Sequence, residues 1–237
     1  MTQPRSVLFD LDNTVYAYSP CHQAGLNAAW SASVDMVGSW ADKAAFLDGY
    51  DRARQRVKEQ IRGAAASHSR LLYFKAMFEA VLGRTDTGCS RELEEIYWSG
   101  YFDQMKPDSG CEDVLCRVRS AGIRSAWVSN FTTERQLLKL EHLGLSGAVD
   151  LLVTSEEAGA DKPDPAVLLL AMERLGMGPV DTWIVGDSLT DDVGSGKKTG
   201  VFTVWFDRYG EGCGKGGHSD PDAVVNSWAE LGRLLGV

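Results

Sequence analysis

The chain has 237 residues, of which 44% are hydrophobic and 24% are charged, so it has the composition of a globular protein with a full buried core. Its formal net charge of −9 argues against nucleic acid and anionic membranes as partners, because binding to either one requires basic surfaces. The five cysteines include no Cys-x-x-Cys pair, and no apolar run approaches the roughly 18 residues of a membrane-spanning helix. We therefore expect a cytoplasmic protein with free thiols, present as a monomer or a weak homodimer.

The first element in the chain is a short apolar run at residues 5–10 that ends in the carboxylate of Asp10. Such a run is typical of a buried parallel strand that carries its last residue to the carboxyl edge of a sheet. Residues 16–105 contain no convincing strand and are rich in alanine, arginine, glutamate and aromatic residues at helical spacing. We interpret them as an inserted helical domain with helices at 43–61, 69–82 and 91–102 and a turn at 83–88.

Strands and helices alternate through the rest of the chain. The predicted strands are 124–129, 149–154, 181–186 and 201–206, and the predicted helices that alternate with them are 111–121, 133–143 and 165–175. Each of these helices is followed by a glycine that suits a helix C-cap, and a glycine-rich segment at 210–217 precedes a last predicted helix at 222–235. The alternation predicts an α/β fold with a doubly wound parallel sheet. Residues 1–15 and 106–237 would form this Rossmann-like core, and residues 16–105 would be the inserted helical domain.

Polar motifs follow four of the predicted strands, where a ligand site of such a sheet is expected. They are Asp10 and Asp12, then Ser129 and Asn130, then Lys162-Pro-Asp-Pro165, and finally Asp187 with Asp191 and Asp192. Each motif alone also fits an ordinary turn, a solvated loop or a helix N-cap. Their order along the chain, one at each strand end, indicates a shared site.

With these four motifs in this order, the chain resembles the haloacid dehalogenase-like hydrolase superfamily, in particular subfamily I phosphatases with an α-helical type 1 cap after the first motif. The resemblance implies that Asp10 attacks a phosphate ester to form an aspartyl-phosphate and that Asp12 acts as general acid and base. It implies that Lys162 contacts the phosphate and lowers the pKa of Asp10. Ser129 and the backbone amide of Asn130 would bind a phosphoryl oxygen.

The same resemblance implies a Mg²⁺ cofactor held by oxygen ligands. Asp10, the backbone carbonyl of Asp12 and Asp187 would form the ligand set. Asp192 would hold a metal-bound water, with Asp191 as the adjacent alternative for this second acidic position.

The expected substrate is a small phosphomonoester, such as a sugar 5-phosphate or a nucleoside-like 5′-phosphate. His68, Arg70 and Tyr16 are candidate substrate contacts in or near the cap. A dehalogenase is disfavoured because Asp12 supplies a proton that a halide leaving group does not need. A phosphomutase, and a catalytically silent binding protein on the same scaffold, remain as alternatives.

Overall fold

The computed structural model describes residues 3–36, 40–210 and 220–237. The chain divides into two compact units. One, called the core unit here, comprises Met1–Ala17 and Lys106–Val237, and the other, the cap unit, is Tyr18–Met105. Apart from Gly210, the glycine-rich segment at 210–217 lies outside the described residues.

The secondary structure alternates as an α/β protein requires. In chain order the elements are β1 (Ser6–Phe9), α1 (Tyr18–Met36), α2 (Lys43–Gln60), α3 (Arg70–Leu82), α4 (Thr87–Asp103), α5 (Cys111–Ser120), β2 (Arg124–Ser129), α6 (Thr133–His142), β3 (Leu151–Thr154), α7 (Ser155–Ala158), α8 (Ala166–Leu175), β4 (Thr182–Gly186), α9 (Gly194–Thr199), β5 (Phe202–Phe206), β6 (Ala223–Val225) and α10 (Trp228–Leu235).

The core unit is built on a six-stranded, wholly parallel sheet in the order β3-β2-β1-β4-β5-β6. Strand β1 is central, because Ser6 pairs with Arg124 of β2 on one side and with Thr182 of β4 on the other. All four residues of β1 are buried, as expected for a strand covered on both faces. The predicted fold class is therefore confirmed, and the strand that precedes Asp10 lies at the middle of the sheet.

The predicted helix at 222–235 is wrong in its first half, because Ala223–Val225 pairs with β5 as an edge strand. The carboxylate of Asp222 accepts hydrogen bonds from the backbone N–H and the hydroxyl of Thr203 on β5, both at 2.8 Å. The Asp222 side chain, which was expected to begin the helix, is thus bound to Thr203 of the neighbouring strand instead. Helix α10 begins at Trp228 instead, where the Ser227 hydroxyl caps it by accepting from the Glu230 N–H.

The cap unit consists of helices α1–α4 and a short 3₁₀ turn at Ala65–His68. Helix α4 begins four residues before the predicted start, because Asp86 caps it by accepting from the Cys89 N–H at 3.0 Å. Helices α1 and α4 pack closely at Gly100, where an added Cβ would lie 2.8 Å from the Cβ of Ala28. Within the described ranges, no helix is both long and apolar enough to cross a bilayer.

Candidate active site

Three carboxylates meet at the carboxyl edge of the sheet. Asp10 directly follows β1 and Asp187 directly follows β4, and these strands are neighbours, so their ends coincide. Asp192 lies one short turn further on and is 2% exposed. One oxygen from each carboxylate lies within 4.8 Å of the others. Gly186 makes room for this arrangement, since a Cβ at that position would lie 2.2 Å from Cγ of Asp192.

The ammonium of Lys162 lies among these carboxylates, 3% exposed. Its Nζ donates to Oδ1 of Asp10 at 2.8 Å, to Oδ1 of Asp192 at 2.6 Å and to the carbonyl of Val128 at 2.9 Å. Asn130 holds the backbone of Lys162, because its Nδ2 donates to the Lys162 carbonyl at 2.8 Å and its Oδ1 accepts from the Lys162 N–H at 2.6 Å. The side chain of Asn130 therefore orients the loop that presents the lysine.

The charges in this cluster do not balance. When all groups are ionised, three carboxylates and one ammonium carry two net negative charges. Burial raises the pKa of Asp10 well above its ordinary value, and Asp192 and Asp187 raise it further, although Lys162 opposes the rise. Burial also raises the pKa of Asp187 to about 6, with the charge of Asp192 adding to the effect. Lys162 thus lowers the pKa of Asp10, as the sequence predicted, but burial and the two further carboxylates outweigh its effect.

The donor set of this cluster fits a magnesium ion. Its ligand atoms are all carboxylate oxygens, which Mg²⁺ prefers, and its two net negative charges match a divalent cation. Of the two acidic residues that the sequence left open, Asp192 belongs to the cluster. Asp191 takes part differently, because its backbone N–H donates to the Ser188 hydroxyl at 3.0 Å.

The turn after β1 joins two of the carboxylates. The hydroxyl of Thr14 donates to Oδ2 of Asp10 at 3.0 Å and accepts from the Asp187 N–H at 3.1 Å. Asn13 has a left-handed φ of 66°, a conformation that asparagine tolerates better than most residues. From that position its Nδ2 donates to Oδ2 of Asp187 at 2.7 Å. Asp10 and Asp187 are thus held by neighbouring residues of a single turn.

Asp12 lies in a separate set of contacts. Its Oδ1 accepts from Nζ of Lys139 at 2.5 Å and from the hydroxyl of Tyr16, and its Oδ2 accepts from Nε2 of Gln136 at 3.0 Å. Burial alone would raise the pKa of Asp12, but the ammonium of Lys139 and the three hydrogen bonds lower it below the ordinary value. Tyr16, a predicted substrate contact, is fully buried with its hydroxyl on Asp12.

Gln136 and Lys139 are the site residues that sequence reasoning missed. The element that carries them was predicted only as a helix, at residues 133–143, with no role in the site. The sequence signal that could have identified them is their spacing. Gln136 and Lys139 are three residues apart on the helix face that also carries Leu140, so two polar side chains occupy positions that face the core.

The remaining predicted residues divide between the two units. Ser129 ends β2, is 1% exposed and accepts a hydrogen bond from Nε2 of Gln136. His68 and Arg70 belong to the cap unit, where Arg70 donates to the His68 carbonyl and the Tyr18 hydroxyl, both at 2.7 Å, and to the Tyr97 hydroxyl at 3.3 Å. The core unit therefore gathers Asp10, Asp12, Ser129, Asn130, Lys162, Asp187 and Asp192 at one edge of the sheet.

Comparisons with known proteins agree with this arrangement. The family model for haloacid dehalogenase-like hydrolases matches residues 4–200. The ribulose-1,5-bisphosphate 5-phosphatase of Halopiger xanaduensis is 40% identical over 202 residues, which cover 85% of this chain and 84% of that protein. The glyceraldehyde 3-phosphate phosphatase of Methanocaldococcus jannaschii is 26% identical over 229 residues, or 96% of this chain and 95% of that one.

A solved structure shows the same fold over nearly the whole chain. The crystal structure of the HAD phosphatase from Thermococcus onnurineus superposes with a TM-score of 0.75 at 27% identity, covering 98% of this chain and 97% of that one. The family match, the phosphatase relatives and the shared fold lead to one conclusion: the chain belongs to the haloacid dehalogenase-like hydrolase family and is a phosphatase.

Proposed function

We propose that this phosphatase removes the 5-phosphate of a small phosphorylated sugar, with Mg²⁺ as cofactor and an aspartyl-phosphate at Asp10 as intermediate. The observation that carries the reaction is the Asp10 carboxylate, which is held by Lys162 and Thr14 and lies beside Asp187 and Asp192. The activity for which the relative from Halopiger xanaduensis is named supports a pentulose phosphate as the substrate class.

The first half of the proposed reaction forms a bond between an oxygen of Asp10 and phosphorus. The bond from phosphorus to the ester oxygen breaks and its electron pair goes to that oxygen. Asp12 delivers to the departing alcohol the proton that it took from water at the end of the preceding turnover. The hydroxyl of Ser129, the backbone N–H of Asn130 and the ammonium of Lys162 are proposed to bind the phosphoryl oxygens.

In the second half, Asp12 accepts a proton from water as the water oxygen attacks phosphorus. The bond between phosphorus and Asp10 breaks, inorganic phosphate leaves, and the Asp10 carboxylate is restored. Mg²⁺ held by Asp10, Asp187, Asp192 and the Asp12 carbonyl would neutralise the two excess charges and the charge of the phosphoryl group.

The reaction is tested by phosphate release from 4-nitrophenyl phosphate with Mg²⁺ and with EDTA. Asp10→Asn should abolish turnover while the protein remains folded, and mass spectrometry of acid-quenched wild type should find an alkali-labile phosphoryl group on the peptide that contains Asp10. Asp192→Asn should weaken activation by Mg²⁺, and Asp191→Asn is its matched control. Equal activity of wild type and Asp10→Asn would refute the proposal.

The substrate class is tested with a panel of phosphate esters. We expect the kcat/KM for ribulose 1,5-bisphosphate or ribose 5-phosphate to exceed that for glyceraldehyde 3-phosphate and AMP by about tenfold or more, the range of discrimination that a few pocket contacts provide. Similar values across the panel would contradict a sugar 5-phosphate specificity. Release of one inorganic phosphate per dephosphorylated sugar separates a hydrolase from a phosphomutase, which returns the phosphoryl group to its substrate.

His68 and Arg70 remain our candidates for substrate contacts from the cap unit. Arg70 supplies a guanidinium that the hydroxyls of Tyr18 and Tyr97 hold in one orientation. Arg70→Met should raise the KM for sugar phosphates and leave that for 4-nitrophenyl phosphate nearly unchanged. An equal rise for both substrates would assign Arg70 to the stability of the cap unit alone.

A further inference from the structure

Helix α6 buries two polar side chains where apolar residues would pack at lower cost. Gln136 is fully buried and Lys139 is 1% exposed. Removing an ammonium from water is costly unless it is paired and hydrogen-bonded. A lysine and a glutamine on the inner face of a helix therefore call for an explanation in terms of the groups that they contact.

Both side chains reach the same carboxylate. Nζ of Lys139 donates to Oδ1 of Asp12 at 2.5 Å and lies 4.6 Å from the centre of the Phe131 ring. Nε2 of Gln136 donates to Oδ2 of Asp12 at 3.0 Å. Because the two residues are three apart on one helix, they approach the carboxylate side by side from a rigid element.

Gln136 also links Asp12 to Ser129, since its Nε2 donates to the Ser129 hydroxyl. Its Oε1 is buried and has no hydrogen-bond partner within the described part of the chain. The reverse orientation of the amide would place that oxygen against the Asp12 carboxylate, so the observed one is favoured. The Ser129 oxygen accepts from Gln136, which leaves its own hydrogen free to point to a phosphoryl oxygen.

Among the described residues, three side-chain donors contact the Asp12 carboxylate and leave room for one more hydrogen. A carboxylate offers about four lone-pair sites, of which Lys139, Tyr16 and Gln136 occupy three. The remaining site is on Oδ2. The contacts thus fix the direction in which Asp12 can give or accept a proton, although its side chain is 25% exposed.

We propose that Gln136 and Lys139 are positioning residues of the phosphatase: Lys139 fixes the orientation of Asp12 toward the leaving oxygen, and Gln136 aligns Asp12 with the phosphoryl-binding hydroxyl of Ser129. This inference rests on the proposed role of Asp12 as general acid and base. Holding a reacting group in its productive orientation lowers the barrier because less freedom is lost at the transition state.

The experiment compares two substrates that differ in their need for a proton. D-Ribose 5-phosphate releases a weakly acidic alcohol, which must be protonated, whereas 4-nitrophenyl phosphate releases an acidic phenol, which needs little help. General acid catalysis typically contributes about 10²- to 10⁴-fold. We expect Lys139→Met to lower kcat/KM for ribose 5-phosphate by about 10²-fold and for 4-nitrophenyl phosphate by less than about fivefold.

Two further variants identify the route of the effect. Asp12→Asn should show the same substrate pattern, and the double variant of Asp12→Asn with Lys139→Met should lose no more than Asp12→Asn alone, because Lys139 acts through Asp12. Gln136→Met should show the same larger loss for ribose 5-phosphate, together with a higher KM for both substrates, since it also removes the hydrogen bond to the Ser129 hydroxyl. It provides the readout if Lys139→Met does not fold.

Leu140→Ala is the matched control, because Leu140 is buried beside Lys139 on α6 and contributes packing. It should lower stability and leave the ratio of the two kcat/KM values unchanged. The inference is overturned if Lys139→Met and Gln136→Met also leave that ratio unchanged, or if Leu140→Ala shifts it equally. If wild type releases no phosphate from either substrate, the proposed function itself fails, which is a distinguishable result.

Discussion

The excess negative charge at the sheet edge predicts an unusual pH dependence of stability in the metal-free protein. The pKa of Asp187 is about 6 in the folded chain, against an ordinary value of 3.8. A carboxyl group with a raised pKa in the folded state contributes stability at low pH, and this contribution is lost as the pH rises through the folded value. The metal-free core unit should therefore lose stability between about pH 4 and pH 7.

The magnitude follows from the shift. A rise from 3.8 to about 6 corresponds to about 3 kcal/mol, and solvent screening of the partly exposed Asp187 side chain reduces this to about 2 kcal/mol. The side chain at position 187 of the Asp187→Asn variant cannot ionise. In EDTA, the free energy of unfolding of the variant relative to wild type should therefore increase by about 2 kcal/mol between pH 4 and pH 7.

The assay is urea unfolding at several pH values, read by hydrogen exchange of peptides from β1 and β4 so that the core unit is followed by itself. Saturating Mg²⁺ should instead stabilise the wild type more than Asp187→Asn. An ion at about 100 times its Kd adds about 2.7 kcal/mol to the free energy of unfolding of the wild type and less to that of the variant. A difference between wild type and Asp187→Asn that is the same at pH 4 and pH 7 in EDTA would refute the reasoning.

Three further perturbations test separate parts of the structure. Gly186→Ala should displace Asp192 and weaken Mg²⁺ binding by about tenfold or more, measured by calorimetry, and unchanged affinity would contradict the close contact. Asn13→Ala places alanine at positive φ and removes the bond to Asp187, so it should cost about 1 to 3 kcal/mol in urea unfolding, whereas Asn13→Gly should recover part of that loss. Burial lowers the pKa of His22 to about 3, so the free energy of unfolding of the cap unit should fall by about 2 kcal/mol as the pH falls from 6.5 to 5. The variant His22→Gln should not show this loss. Hydrogen exchange of α3 peptides measures the difference.

Local sequence patterns account for most of the sheet. Strand β2 is found at the predicted residues 124–129, and β1, β3, β4 and β5 lie within two residues of their predicted bounds. Buried parallel strands are continuous apolar runs, so the signal that defines them is contained in a few consecutive residues. The edge strand at Ala223–Val225 was missed because it is short and half-exposed, and only its pairing with β5 makes it a strand.

Helix starts were predicted less well where a cap decides them. The predicted turn spans residues 83–88, yet α4 already begins at Thr87 because the side chain of Asp86 caps it. This case shows that helix ends depend on individual hydrogen bonds, which periodicity does not report. Within the inserted helical domain, no separate helix was predicted for the segment that forms α1.

The sequence by itself determined that carboxylates, a hydroxyl and a lysine follow successive strands, because strand ends are local features and parallel strands bring their ends to one edge. Only the tertiary structure decided which of Asp191 and Asp192 joins the cluster and that burial outweighs Lys162 at Asp10. It also decided that Lys139, 127 residues along the chain from Asp12, holds that carboxylate. Such contacts depend on packing and on loss of solvent, which are properties of the assembled fold rather than of any segment.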